Sequence, residues 1–350
     1  MLGEEIKSFI KVWLIVLSSL CYCHFIAKTV PKGTKRLSFL LPVVCLFLLL
    51  PLKLNSPHLG GLTAFFIAWL ANFKLLLFAF DRDPLNTHLS LPLFVTLACL
   101  PVKIQQNPSS IPELNKGISS SSSVNYAVKG LLLGIILRAY DYVEYMHPGF
   151  IKLLYSLHIY FFLEIVLAIG AAVVQSFSGL ELEPQFNEPF LSTSLQDFWG
   201  KRWNLMVSSI LRPTVYEPTL RFSSAVIGRK WAPLPSVFLT FVVSGVMHEL
   251  MFYYLGRVSP TGEVTWFFLI HGVCLTVEIG LKKALRGWWR PPWVVTGPLT
   301  VGFVLGTGFW LIIPQFTRSK VDARSFEEYA ELGALLRSCS ERVLRVLWAK

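Results

Sequence analysis

Long apolar stretches and short charged connections alternate along this chain. The apolar stretches cover about 9–27, 37–54, 59–80, 89–102, 124–140, 149–175, 233–255, 264–281 and 293–313, nine candidates in all. A helix that crosses a bilayer needs about 20 largely apolar residues, and most of these reach or approach that length. The pattern predicts an all-α fold, a polytopic transmembrane helix bundle forming one domain over residues 1–350. Three connections are strongly basic: Lys28, Lys32, Lys35 and Arg36; then Lys201, Arg202, Arg212, Arg221, Arg229 and Lys230; then Lys282, Lys283, Arg286 and Arg290. The positive-inside tendency wants all three on the cytosolic side, and nine crossings cannot satisfy it. The stretch 89–102 is short and carries Pro92 and Pro101, so it is expected to be re-entrant or interfacial, which leaves eight crossings.

Three further segments do not read as spans. Residues 103–123 hold Pro108, Pro112 and the run Ser119–Ser123, the composition of a flexible linker. Residues 177–230 are polar, aromatic and long for a connection, and loops of that kind are usually functional. From 324 to 350 the chain reads as an amphipathic helical tail. Ser325 and Glu328 make a capping-box pattern, and Phe326, Tyr329, Leu332, Leu336, Cys339, Val343 and Leu347 recur at helical spacing. That tail is expected to pack, not to carry chemistry.

Composition agrees with a membrane protein. Of 350 residues, 53% are hydrophobic and only 15% charged, against roughly 25% charged in soluble domains. The net charge of +11 sits in connections between apolar runs, not on one solvated face, which argues against a nucleic-acid partner. The six cysteines show neither metal-ligand spacing nor a paired framework and read as small hydrophobes. Glu4 and Glu5 precede the first run without a basic start or an obvious cleavage site, so that run is expected to stay as a span.

Ionisable groups at membrane depth are the first suspects for function. Here they are Lys74, His158, Glu164, His248, Glu249, His271 and Glu278. Each is either functional or part of an interior ion pair or hydrogen bond, and Lys74 with Glu164 looks most like such a pair. His248 lies some 15 residues into its segment, roughly 22 Å of helix at 1.5 Å per residue. Thr240, Ser244 and His248 share a face beside Gly245, a polar stripe that suggests a cavity. The pair His248–Glu249 begins a zinc-hydrolase motif, but Phe252 stands where the second histidine belongs, so no metal site is expected. A lone imidazole at depth can instead take a proton from a hydroxyl. On the next segment His271, Cys274 and Glu278 share a face, with His271 either supporting His248 or packing structurally.

In the long loop, Ser194 and Asp197 predict a helix start and Pro213 its end. Leu195, Phe198, Trp199, Arg202, Met206 and Ile210 would line one side of that helix, and Asp197, Lys201, Asn204 and Ser208 the other. One reading is a plain interfacial helix. The other is a phosphate site, since Asn204 and Trp203 adjoin Lys201 and Arg202 with Arg212 nearby. There is no phosphate-cradling glycine loop of the nucleotide-hydrolase type. A transporter would show repeated halves, and none is evident.

Pro184-Gln-Phe-Asn-Glu-Pro189, Ser194-Leu-Gln-Asp-Phe-Trp-Gly-Lys-Arg-Trp-Asn-Leu205, Leu211-Arg-Pro-Thr-Val-Tyr216 and Val243-Ser-Gly-Val-Met-His-Glu-Leu-Met-Phe-Tyr253 resemble the plant wax synthases, a branch of the membrane-bound O-acyltransferases. The likeness extends over nearly the whole chain, Trp69-Leu-Ala-Asn-Phe-Lys-Leu75 included. It implies transfer of a fatty acyl group from long-chain acyl-CoA to a long-chain fatty alcohol, or to a sterol, in the endoplasmic reticulum membrane. The only other requirement it implies is membrane lipid, with no cofactor beyond the acyl donor. By this resemblance His248 is the catalytic base and Asn204 closes the family's aromatic-Asp-Trp-Asn motif, here Asp197-Phe-Trp-Gly-Lys-Arg-Trp-Asn204, which is longer and more basic than in the diacylglycerol acyltransferases. Asp197, Lys201, Arg202, Trp203, Arg212 and His271 are the expected substrate-binding residues, with 177–230 the cytosolic acyl-CoA loop and 231–313 the spans that carry the histidine.

Overall fold

Proline stands in the first turn of many of the helices, and Gly179 and Gly228 end two of them, as backbone chemistry favours. Ser56 caps the helix that starts at Pro57 by accepting from Leu59 N, and His147 caps the one at Pro148 through Gly149 N. Gly179 closes the latter helix with a left-handed φ of 64°, which a residue without Cβ adopts freely. The structure, a computed structural model, describes residues 2–101, 115–179, 182–285 and 292–348.

The first three helices are α1 (Leu2–Thr29), α2 (Thr34–Leu49) and α3 (Pro57–Ala79). Next come α4 (Leu91–Cys99), α5 (Asn115–Ala139) and α6 (Pro148–Ser178). The long loop holds the single turn α7 (Leu195–Asp197), then α8 (Leu205–Leu211) and α9 (Glu217–Ile227). The chain ends with α10 (Pro233–Gly256), α11 (Glu263–Ala284), α12 (Trp293–Leu311), α13 (Ile313–Arg318) and α14 (Val321–Trp348). No strand occurs among the described residues. Seven helical stretches there are long and apolar enough to cross a membrane: α1, α2 with its continuation to Lys53, α3, α6, α10, α11, and α12 with α13. The protein is an all-α, multi-pass membrane bundle.

The contacts sort the connections into two ends. Gly33 N donates to Ala79 O at 2.8 Å, Arg82 reaches Pro213 O at 3.5 Å, and Lys283 reaches Lys230 O at 2.8 Å. Those bonds gather the three basic connections at one end; Arg286 and Arg290 lie outside the described residues. At the other end Arg257 donates to Pro51 O and Leu54 O, Arg324 to Leu255 O and Asn55 O, and Tyr155 to Asp322. The chain therefore leaves α3 at the basic end and enters α6 at the opposite one. The nine-residue α4 is about 14 Å long, too short to cross, and α5, which follows it, is not among the seven apolar stretches.

Three expectations are corrected. Lys74 does not meet Glu164: its Nζ donates to Leu97 O and Leu100 O at 2.6 and 2.7 Å, satisfying carbonyls that the short α4 leaves free at its C-terminus. Glu164 pairs with Lys129 at 2.6 Å, both buried. The run Ser119–Ser123 is no linker but part of α5, while 102–114, with Pro108 and Pro112, lies outside the described residues. The tail helix starts at Val321, so Ser325 is interior and the capping box does not form. Glu328 instead accepts from the backbone N–H of His58 and pairs with its ring. Phe326 and Tyr329 pack on Tyr140, His58 and His158; the side chains of Leu336, Cys339, Val343 and Leu347 are outside the description.

Helices α10 and α11 make the most extensive pairing in the bundle. Two glycines permit it. A Cβ on Gly245 would lie 3.2 Å from Phe268 Cβ, and one on Gly272 would lie 2.7 Å from Phe241 Cβ. Glu249 locks the pair at the end opposite the basic one. Its carboxylate accepts from Gly262 N, Thr265 N and Thr265 Oγ1 at 2.9, 2.9 and 3.0 Å, capping the start of α11.

Candidate active site

His248 sits on α10, held between two aromatic rings. Phe268 of α11 stacks on the imidazole with centroids 4.0 Å apart, and Trp69 of α3 meets it edge-to-face at 4.7 Å. Its Nδ1 lies 2.8 Å from the Ser244 carbonyl oxygen, one turn back on the same helix. A carbonyl only accepts, so Nδ1 carries the proton and Nε2 holds the lone pair. No described protein group occupies that lone pair. Glu249, beside it in sequence, is committed to α11 and does not reach the ring.

His271 carries the opposite tautomer. The Trp199 indole, which can only donate, gives its Nε1–H to His271 Nδ1 at 3.1 Å. The His271 Nε2–H therefore donates to Thr307 Oγ1 at 2.9 Å. Fully buried with both nitrogens filled by protein, His271 has no atom left to bind substrate directly. It holds Trp199, whose ring packs on Phe268 at 5.8 Å and Phe241 at 5.4 Å.

The rest of that α11 face docks the long loop. Glu278 accepts from Leu195 N at 2.9 Å and Gln196 N at 3.4 Å, and Lys282 bridges Glu278 and Ser194. The loop thus enters the bundle from the basic end, with Leu195 and Trp199 in the core cluster of Phe241, Phe267 and Phe268.

The single helix expected over 194–212 is broken. Ser194 does accept from Asp197 N at 3.1 Å. After a wide turn over Phe198–Arg202, however, Trp203 is extended and Asn204 turns left-handed with φ 39°. Asparagine tolerates that conformation because its side chain bonds locally. Its Oδ1 accepts from Val207 N at 3.3 Å and so starts α8 afresh. Pro213 does not end the run either. It occupies the opening of a second wide turn, Arg212–Tyr216, where its missing N–H costs little, and that turn leads into α9.

The segment 185–188 clamps this break. Leu205 N donates to Gln185 O at 2.8 Å and Asn187 N to Arg202 O at 2.9 Å. Arg202 returns bonds to Asn187 O and Glu188 O and pairs with Asp197 at 2.8 Å. Trp203 stacks on Phe198, centroids 5.4 Å apart, beside Phe186 and Tyr160. Asp197, Arg202 and Trp203 are thus engaged in shaping the loop. Lys201 and Arg212 are the exposed members of the basic group; Arg212 lies 3.5 Å from Glu217.

One core cluster joins the two halves. Met206 and Val207, just beyond Asn204, share it with Trp69, and Met247 and Leu250, on either side of His248, pack against it. Among the described residues the Nδ2 of Asn204 has no protein partner, like the Nε2 of His248. What the arrangement offers is a fixed proton acceptor inside a bundle that has its basic connections at one end. Among the described residues no cluster of three or more His, Cys, Asp or Glu is placed to hold a metal.

Comparison with known proteins matches residues 182–270 to the membrane bound O-acyl transferase family. The match covers the clamped loop, His248 and the first part of α11. Over 330 residues the chain is 51% identical to acyl-CoA–sterol O-acyltransferase 1 of Arabidopsis thaliana, 93% of this chain and 95% of that protein. The chain belongs to the membrane-bound O-acyltransferase family. It is 46% identical to the long-chain-alcohol O-fatty-acyltransferase of Simmondsia chinensis, over 93% of this chain and 94% of that one. A probable long-chain-alcohol O-fatty-acyltransferase 3 of Arabidopsis thaliana is 45% identical over 89% of this chain and 90% of its own. The expected wax synthase branch is the right one, and the protein is an acyltransferase.

The two rings that touch the acyltransferase's histidine, Phe268 and Trp69, lie in apolar stretches where an aromatic reads as core, while Trp199, in the long loop, reaches it only through Phe268. The Ser244 hydroxyl was on the expected polar stripe, but it is the Ser244 carbonyl that fixes the ring.

Proposed function

We propose that this protein transfers a fatty acyl group from long-chain acyl-CoA to the hydroxyl of a long-chain alcohol, making a wax ester in the endoplasmic reticulum membrane. The observation that carries the reading is the free Nε2 lone pair of His248, at depth, with its tautomer set by the Ser244 carbonyl. A thioester is already activated, so the reaction needs a base, an oxyanion donor and exclusion of water, with no cofactor and no metal. His248 Nε2 takes the proton of the acceptor hydroxyl as its oxygen attacks the thioester carbon. It then returns that proton to the CoA thiolate as the C–S bond breaks. The Asn204 Nδ2–H donates to the thioester carbonyl. Lys201 and Arg212, exposed at the basic mouth, attract the CoA phosphates, while Asp197, Arg202, Trp203 and His271 hold the loop that presents them. The alkyl chains lie among the helices, where each buried CH2 is worth about 0.8 kcal/mol.

The sterol acyltransferase relative, at 51% identity, favours a sterol as the second reading of the acceptor. Expression in yeast devoid of its own sterol and glycerolipid acyltransferases, fed hexadecanol, separates the two. Alkyl esters in the lipid extract support the alcohol; sterol esters without alkyl esters move the acceptor to sterol. Neither product, from protein present in the membrane, contradicts the proposal.

A further inference from the structure

Trp69 is 1% exposed, and its indole N–H is one of the few described buried polar atoms that lack a hydrogen-bond partner. Buried tryptophan nitrogens usually find an acceptor, and two others here do: Trp13 donates to Thr63 Oγ1 at 3.2 Å and Trp199 to His271 Nδ1 at 3.1 Å. What sets Trp69 apart is its neighbour. Its ring touches the imidazole of His248, centroids 4.7 Å apart and nearly perpendicular. An unpaired donor and an unpaired lone pair therefore belong to two rings in contact.

The backbone beneath Trp69 is also unusual. Ala64–Ala71 is wound as a π-helix within α3, a rare geometry that is frequent at functional sites. Phe65 meets Trp69 edge-on at 5.9 Å, and Ala64 and Ala68 pack in the same cluster, so the ring is fixed where it stands.

An indole N–H can donate but not accept. It cannot take the hydroxyl proton, so it does not duplicate His248. In the acyl transfer proposed above, the atom that gains negative charge and needs a donor is the thioester carbonyl oxygen. We propose that Trp69 Nε1–H donates a hydrogen bond to that oxygen, completing with Asn204 a two-donor oxyanion site. The inference rests on the acyl-transfer reading. As the hydroxyl oxygen bonds to the carbonyl carbon, its proton passes to His248 Nε2 and the C=O π pair moves onto the oxygen facing Trp69. Collapse restores the C=O, breaks the C–S bond and leaves the CoA thiolate to take the proton back from His248. Trp69 neither gains nor loses a proton.

The test compares purified wild-type protein with Trp69→Phe, and with β-(3-benzothienyl)alanine at 69, which replaces only the N–H by sulfur. The expected result is a fall in kcat of about 10²-fold, the effect of one lost oxyanion donor. In the benzothienyl variant KM for palmitoyl-CoA and thermal stability in detergent should stay at wild-type values, which a packing role alone would not give, whereas Trp69→Phe also loses stability to the cavity it leaves. A kcat within about threefold of wild type in the benzothienyl variant overturns the proposal. The second readout is the infrared carbonyl band of bound [1-13C]palmitoyl-CoA, recorded in a His248→Ala background without acceptor. It should move to higher wavenumber when the N–H is removed; an unmoved band overturns the proposal. Absence of ester from the wild-type protein would contradict the acyl-transfer reading instead, and the band would still decide whether Trp69 holds the carbonyl.

Discussion

Replacing Glu249 by glutamine separates a carboxylate that builds the site from one that acts in it. Glu249 adjoins His248 in sequence, yet its two oxygens accept three bonds from Gly262 N, Thr265 N and Thr265 Oγ1. Hydrogen bonds to a charged group contribute about 1.5–3 kcal/mol each. Because one carboxylate makes all three, the losses do not simply add, and Glu249→Ala should destabilise the protein by about 3–5 kcal/mol. Glutamine keeps one oxygen, which serves Thr265, while its NH2 faces the Gly262 N–H, so Glu249→Gln should cost about 1–3 kcal/mol. The start of α11 also carries Phe268 onto the imidazole at 4.0 Å, so turnover should fall with stability in the order alanine, glutamine, wild type. The assay is thermal unfolding in detergent beside initial rates of ester formation from palmitoyl-CoA. Wild-type stability in Glu249→Gln with kcat lowered by about 10³-fold or more would refute the reasoning, because a residue acting in proton transfer loses rate without losing structure.

Gly272→Ala should force α10 and α11 apart, since the new Cβ falls 2.7 Å from Phe241 Cβ; overpacking costs about 1–3 kcal/mol, read as a lower melting midpoint. Lys201→Ala should raise KM for acyl-CoA with kcat kept, whereas Arg202→Ala, which breaks the Asp197 pair and the bonds to Asn187 and Glu188, should lower thermal stability and kcat together; steady-state kinetics beside melting curves tell them apart. Burial works to raise the pKa of Glu328, but hydrogen bonds from His58 and Ser56 outweigh it and hold the carboxyl below its usual range. A depressed folded pKa gives stability that is present above the unfolded value and lost as pH falls through the folded one. Melting midpoints of wild type and Glu328→Gln should therefore converge as the pH drops below about 4.5.

Periodicity and charge made the bundle legible because bilayer depth imposes both. Pro92 and Pro101 marked an apolar stretch too short to cross, and the basic loops placed the ends. What sequence could not supply was pairing between distant residues. Lys74 and Glu164 have the right charges, but Lys74 is consumed by the free carbonyls of α4 and Glu164 by Lys129, a lysine next to a serine run that reads as linker. The loop's helix was misread for a local reason: Asn204 suits a helix interior or a left-handed cap, and the clamp from Gln185 and Asn187 selects the cap. His248 stood out as a lone imidazole on a polar stripe. Its tautomer, like that of His271, depends on which neighbour accepts and which donates, and only the folded chain shows it.

The most direct measurement is the rate of labelled hexadecyl palmitate formation by purified wild-type and His248→Ala protein in lipid nanodiscs. Both should fold, insert and bind palmitoyl-CoA alike, with the variant slower by about 10³-fold or more. Turnover by His248→Ala within about tenfold of wild type would contradict the assignment of His248 as the base.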